Sequence, residues 1–148
     1  MEVQPDFREL LALFNAKRVE YLVVGGYALS FHGAPRYTGD IDLYVRPERD
    51  NAERIMSALE AFGFGDTGLS VEVLLKPNQV VQLGVPPVRI DIITSISGIT
   101  WEEAAAGRIA GPYGDIPIFY IGRKEFVANK KAAGRLKDLA DLEALGEG

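Results

Sequence analysis

The run Gly39-Asp40-Ile41-Asp42-Leu43-Tyr44-Val45 carries two acids one residue apart in an otherwise apolar stretch. On a strand, side chains alternate between the two faces. Ile41, Leu43 and Val45 then share one face, and Asp40, Asp42 and Tyr44 share the other. Two ionised carboxylates this close repel, and each raises the other's pKa unless a cation lies between them. Magnesium, which favours oxygen ligands, is such a cation. If the acids crowd an empty site, neutralising Asp40 should relieve the repulsion. A third acid stands in a second alternating run, where Val88, Ile90 and Ile92 are offset from Arg89, Asp91 and Ile93. Aspartate is depleted in strands and costly to bury unpaired, so Asp91 needs a reason to be there. If the two strands are neighbours, Asp40, Asp42 and Asp91 converge as a two-metal site suited to in-line phosphoryl chemistry. Two plainer readings compete: a solvated face for the Asp-x-Asp, and a structural ion pair, with Arg89 or another residue, for Asp91.

A glycine pair lies upstream. Leu22-Val23-Val24-Gly25-Gly26-Tyr27-Ala28-Leu29 reads as strand, tight turn and helix start. Free backbone N–H groups at such a point favour an anion such as phosphate, and glycine lets the backbone approach a ligand closely. Around these residues the pattern predicts a first helix over residues 7–17, with Asp6 and Glu9 as a capping box. Strands follow at 21–24 and 41–45, with a short helix at 27–32 between them and a helix at 48–62 after them. Residues 69–75 fit either a helical turn or a strand. Strands at 78–83 and 88–94 come next, then a helix at 101–106 opened by a Thr100–Glu103 capping box. A strand pair at 108–110 and 116–120 surrounds Gly111-Pro112-Tyr113-Gly114, and helices at 123–133 and 136–145 break at Gly134. Helices and strands mix without strict βαβ alternation, which predicts an α+β fold: a mixed sheet backed by helices, with helices at the C-terminus. His32 reads as a helix-end residue, Trp101 and Met56 as packing residues. Tyr27 and Tyr44 fit the core better than a base-stacking platform.

The chain has 148 residues, the size of a single domain over residues 1–148. It has no cysteine and one histidine, so disulfides, zinc–cysteine sites, thiol nucleophiles and multi-histidine metal sites are excluded. No apolar run approaches the ~20 residues of a membrane span, and the N-terminus lacks the form of a signal peptide. The expectation is a cytoplasmic protein without a membrane partner. The net charge of −5 is uneven. Residues 123–137 hold Arg123, Lys124, Lys130, Lys131, Arg135 and Lys137 against Glu125, a local charge of +5 that leaves −10 for the rest. Such a segment is either a solvated helix face or a phosphate clamp facing the acids.

Gly25-Gly26, a short helix, Asp40-Ile41-Asp42 and a later lone Asp91 together resemble the nucleotidyltransferase superfamily of DNA polymerase β type. Within it, the pattern is similar to small bacterial members, the minimal nucleotidyltransferases and AbiEii-like toxins. Arg36-Tyr37-Thr38-Gly39 resembles their lead-in to the acid pair, and the segment from Asn129 to Asp141 resembles their C-terminal helices. The resemblance spans about residues 20–142. It implies a nucleotidyltransferase fold and metal-dependent transfer of a nucleoside monophosphate from an NTP, such as ATP, to an RNA 3′ end, a protein or a small molecule. It further implies Asp40, Asp42 and Asp91 as catalytic ligands of two Mg2+ ions, with Mn2+ as a substitute. Gly25, Gly26, Arg36, Thr38 and Lys130 would bind the nucleotide. Asp138 and Asp141, three apart on one helix face, would hold Lys130 or Arg135, or simply balance the basic helix. Gly26 departs from the serine of many members and leaves only backbone donors there. A toxin-like role, with an antitoxin or a second copy as partner, is a sub-case. The alternative from another class is a non-catalytic nucleotide- or partner-binding module, such as one half of a toxin–antitoxin pair.

Overall fold

The computed structural model describes residues 3–34, 39–64, 68–85 and 88–148. Six strands form one sheet: β1 (Tyr21–Val24), β2 (Asp40–Val45), β3 (Val80–Val85), β4 (Val88–Ile93), β5 (Ile109–Tyr113) and β6 (Ile116–Tyr120). Their order across the sheet is β3-β4-β2-β1-β6-β5. β2 runs parallel to β4 and β1 parallel to β6, while the other neighbouring pairs are antiparallel. The sheet is therefore mixed, as the absence of βαβ alternation predicts. Leu22, Val23, Ile41, Leu43, Ile90 and Ile92 on its three central strands are fully buried. The period-two reading of β2 and β4 thus holds on the apolar face.

Helix α1 (Pro5–Ala16) packs on α3 (Arg49–Phe62), and α3 on α4 (Val71–Leu75). The remaining helices are α2 (Gly25–Phe31), α5 (Trp101–Ala106), α6 (Arg123–Ala133) and α7 (Leu136–Ala144), of which α6 and α7 pack together. The α1 stripe of Phe7, Leu10, Leu11 and Phe14 is buried as its helical spacing requires. Its N-cap differs from expectation. The Gln4 side chain accepts hydrogen bonds from the backbone N–H of Asp6 and Phe7, and Pro5 takes the first helical position, where its fixed φ and missing N–H cost nothing. The helix therefore starts two residues earlier than an Asp6–Glu9 capping box would set it. Strand β5 also runs further than expected, through Pro112 to Tyr113. Gly-Pro reads as a turn in sequence, but β5 is an edge strand, where a proline without an N–H is tolerated. Residues 71–75 resolve as helix because the Ser70 hydroxyl caps Val73 N–H. The Thr100–Glu103 capping box is formed, and Gly134 ends α6 at φ +63°.

The aromatic residues pack as core. Trp101 meets Tyr44 edge-on at 5.1 Å, and Tyr27 lies between Phe7 and Tyr113. His32 caps the C-terminal end of α2, its Nε2 at 2.7 Å from the Ile121 carbonyl oxygen. Among the described residues no helix is long and apolar enough to cross a membrane.

One buried polar side chain fixes how β1 and β2 enter the sheet. Asn51 on α3 is fully buried; its Oδ1 accepts from Glu20 N–H at 2.7 Å, and its Nδ2 donates to the carbonyls of Glu20 and Arg46, each at 3.0 Å. Glu20 precedes β1 and Arg46 follows β2, so a single amide clamps the ends of the two strands. Removing it takes away three hydrogen bonds and leaves the Glu20 N–H without its partner, while the Glu20 and Arg46 carbonyls keep the N–H groups of Arg46 and Glu48. Asn51→Ala should lower unfolding free energy by about 2–4 kcal/mol in a urea titration, well above the effect of an exposed substitution.

Candidate active site

The parallel register of β2 and β4 sets Asp42 directly opposite Asp91, and Asp40 directly opposite Arg89. On the other flank of β2, the antiparallel register with β1 sets Val24 opposite Asp42. The next residue, Gly25, therefore arrives beside the Asp42 carboxyl. Gly25 takes φ +68°, turning β1 directly into α2. A Cβ at this position would collide with Asp42 Oδ2, so the close approach as well as the left-handed backbone demands glycine.

This crowding has an electrostatic consequence. The Asp42 carboxyl is pushed up to about 7, first by burial, then by the hydrogen bond and charge of Asp91 and the charge of Asp40; Lys137 opposes the rise. Asp91 Oδ1 is buried without a hydrogen-bond partner. Asp40 is turned to Arg89, with Nη2 to Oδ2 at 2.6 Å. The three acids expected to share one ligand set are therefore arranged as a pair, with Asp40 alongside on a guanidinium. Among the described residues, no group of three His, Asp or Glu side chains is placed to hold a metal ion together. The alternative expectation, an Asp91–Arg89 pair, is also not what forms: the register gives Arg89 to Asp40. The Asp42–Asp91 pair nevertheless suits a hard divalent cation. It offers only oxygens, one of them buried and unpartnered, and a carboxyl whose proton affinity is raised by burial and by the neighbouring acids. A metal that draws on Asp40 competes with Arg89 for its carboxylate.

These acids form part of a cleft of about 680 Å³, with Gly25, Gly26, Lys130, Arg135 and Lys137 also in its walls. The basic segment thus does meet the acidic site. Lys130 is buried, its Nζ 3.1 Å from Asp138 Oδ1 and 3.1 Å from Asp141 Oδ2. Arg135 also holds Asp138, through Nε at 2.6 Å and Nη2 at 3.1 Å. Asp138 and Asp141 are therefore holders of Lys130, with Asp138 serving Arg135 as well. Burial alone would raise the Asp138 carboxyl, but hydrogen bonds from Arg135 and Lys130 outweigh it and bring it down to about 2. Arg123 faces elsewhere, bonding Glu147 and the carbonyls of Leu145 and His32. Arg36 and Thr38 lie outside the described residues.

Sequence reasoning placed Lys137 in the basic segment without distinguishing it as the residue whose charge acts on Asp42, and singled out no role for the neutral stretch of cleft wall at Asn78, Ser95, Ser97 and Asn129. Lys137 sits in the first turn of α7, where helical spacing alone gives no hint of which way it faces. Arg89 was visible as a neighbour of Asp91 on the same face, but its partner depends on the register.

No family model matches the chain, and no curated protein matches it significantly. Among solved structures, it is similar to a protein of Thermotoga maritima provisionally assigned as a nucleotidyltransferase. The TM-score is 0.63 and the identity 13%, over 99% of this chain and 94% of the other. The likeness establishes the fold: a mixed sheet backed by helices, of the nucleotidyltransferase kind.

Asp42 and Asp138 give opposite pH signatures. Asp42 holds its proton to about pH 7 when folded but loses it near its ordinary value of 3.8 when unfolded. The folded state binds the extra proton between those values, so this group lowers stability as pH rises through the window. The ceiling is about 4 kcal/mol, and partial solvent access reduces it. Asp42→Asn should therefore stabilise the metal-free protein by about 1–3 kcal/mol at pH 8 and hardly at all at pH 4, as read by urea unfolding in chelator. Asp138, ionised more readily folded than unfolded, contributes stability above about pH 4 that is lost as pH falls toward 2. Asp138→Ala should cost about 3 kcal/mol at pH 7, since it leaves Lys130 buried with one partner fewer, and the deficit should narrow below pH 4.

Proposed function

We propose that the chain transfers a nucleoside monophosphate from a nucleoside triphosphate to an acceptor in a metal-dependent reaction. The observation that carries this reading is the Asp42–Asp91 pair, pressed against Gly25 in a cleft whose walls also hold Lys130, Arg135 and Lys137. Asp42 and Asp91 would hold magnesium or manganese, and Asp40 would contribute to a second ion on parting from Arg89. When bound, such an ion neutralises the triphosphate and lowers the pKa of an acceptor hydroxyl. Gly25 and Gly26 present backbone without side-chain bulk to the phosphates. Lys137, exposed in the cleft wall, supplies positive charge to them. Lys130, already between two carboxylates, contributes its charge from a fixed position rather than by reaching out. The acceptor oxygen bonds to the α-phosphorus, the bond to pyrophosphate breaks, and Asp91 takes the acceptor's proton.

The acceptor is an RNA 3′ end, a protein side chain or a small molecule. Residues 129–141 resemble the C-terminal helices of minimal nucleotidyltransferases and AbiEii-like toxins alike, so a toxin-like role with an antitoxin partner is a sub-case. A second reading, a nucleotide- or partner-binding module without catalysis, is favoured by Asp40, whose bond to Arg89 leaves two acids together rather than three.

Incubation with α-labelled NTPs, magnesium or manganese, and cellular RNA or lysate separates the two. Transfer of label that falls by roughly a hundredfold or more in Asp42→Asn and in Asp91→Asn, both folded by circular dichroism, is the expected result. Metal-dependent nucleotide binding without transfer would leave only the binding module. Neither binding nor transfer would end both readings.

A further inference from the structure

We propose that Arg89 competes with the metal of this site: its guanidinium holds Asp40 as an internal counter-cation, and a divalent ion gains Asp40 only by breaking that ion pair. The inference rests on the metal-dependent reading above and adds a residue to it. The pairing is imposed by the sheet. Asp40 and Arg89 are direct partners in the β2–β4 register, two residues before Asp42 and Asp91 on their respective strands. Strand alternation therefore puts all four side chains on one face, three acids and one base. The Asp40–Arg89 contact is short, at 2.6 Å, and partly shielded, with side chains 28% and 36% exposed. It is also incomplete. Arg89 Nε is buried without a partner, and so is Asp91 Oδ1. The fork of Arg89 thus engages one carboxylate and leaves the neighbouring acid unanswered. A single positive charge is divided poorly among three acids.

Two arrangements follow, Asp40 on Arg89 or Asp40 on a cation. The first holds in the absence of metal and weakens binding of a free ion by the cost of opening the pair. An ion that arrives already bound to a nucleoside triphosphate brings further contacts to offset that cost. The site is thereby biased toward the metal–nucleotide complex over the free metal.

Binding of free Mn2+ to the whole chain, followed by the electron paramagnetic resonance of unbound Mn2+, tests this without any turnover. Arg89→Gln should bind Mn2+ roughly three- to tenfold more tightly than the unaltered chain, the size expected when a partly exposed ion pair need no longer be broken. In an Asp40→Asn background the same substitution should give no gain. Arg89→Lys, a milder change should Arg89→Gln fail to fold, should give a smaller gain with the same dependence on Asp40. Absence of a gain, while the unaltered chain binds Mn2+, overturns the competition and leaves the metal reading standing. A gain that persists undiminished in Asp40→Asn also overturns it, because Arg89 then acts only through its general field. No Mn2+ binding by either protein at millimolar concentration overturns the competition, and the labelled-NTP assay then decides the metal reading separately. Binding by Arg89→Gln alone supports both.

Discussion

The register of two parallel strands governs this site. Once Asp42 stands opposite Asp91, the residue two before each must also be opposed, so Asp40 is handed to Arg89. The carboxylate pair and the guanidinium beside it are one constraint. A slip of one residue would turn one strand's acids to the apolar face, where Ile41, Leu43, Ile90 and Ile92 are fully buried. The burial of those aliphatics is therefore what holds two acids against each other despite their repulsion. The same logic extends to β1, whose register with β2 delivers Gly25 to the edge of Asp42 and leaves no room for a side chain there.

Charge within the cleft is answered in part on each side. On the sheet, Arg89 answers Asp40 and a proton answers Asp42. On the helix pair, Asp138 answers Lys130 and Arg135, and Asp141 answers Lys130. Most of these charges find partners on their own side, and Lys137 acts across the cleft on Asp42. The two sides differ in how completely they are satisfied. Lys130 has two carboxylate partners and Asp138 has two basic ones, whereas Asp91 Oδ1 and Arg89 Nε have no hydrogen-bond partner.

Much of this was legible in the sequence, and the reason is periodicity. Alternation in residues 40–45 and 88–93 reveals which face the acids take, because a strand has only two faces. The capping box at Thr100 and the break at Gly134 were legible because each is a local motif with its own hydrogen bonds or backbone conformation. What could not be read was pairing. Nothing in residues 88–93 says whether Arg89 will meet Asp91 or Asp40, since that is a property of two strands rather than one. Gln4 was missed for a different reason: a glutamine cap is less favoured than the Asp6 that competes with it in sequence, and Pro5 decided the matter. Lys130 was assigned from resemblance to direct phosphate contact, but its burial between Asp138 and Asp141 depends on how α7 returns against α6.

The helix pair is also fixed to the loop that follows β4, near the site. Gly98 lies so close to α6 that a Cβ on it would collide with the Ala132 side chain, and Asn129 Nδ2 donates to the Ser97 carbonyl at 3.0 Å. Asn129 immediately precedes Lys130, so this contact sets the position of the lysine along the cleft. At the start of α6, Arg123 bonds the His32 carbonyl just beyond α2. The opposite charges are thus anchored to one framework, the acids through strand register and the lysine through a glycine–alanine contact and one amide. A highly charged ligand entering such a cleft meets groups already in place. Its binding energy then goes into exchanging ion-pair partners rather than into assembling the site, which is the condition under which fixed charges are most effective on a phosphoryl group.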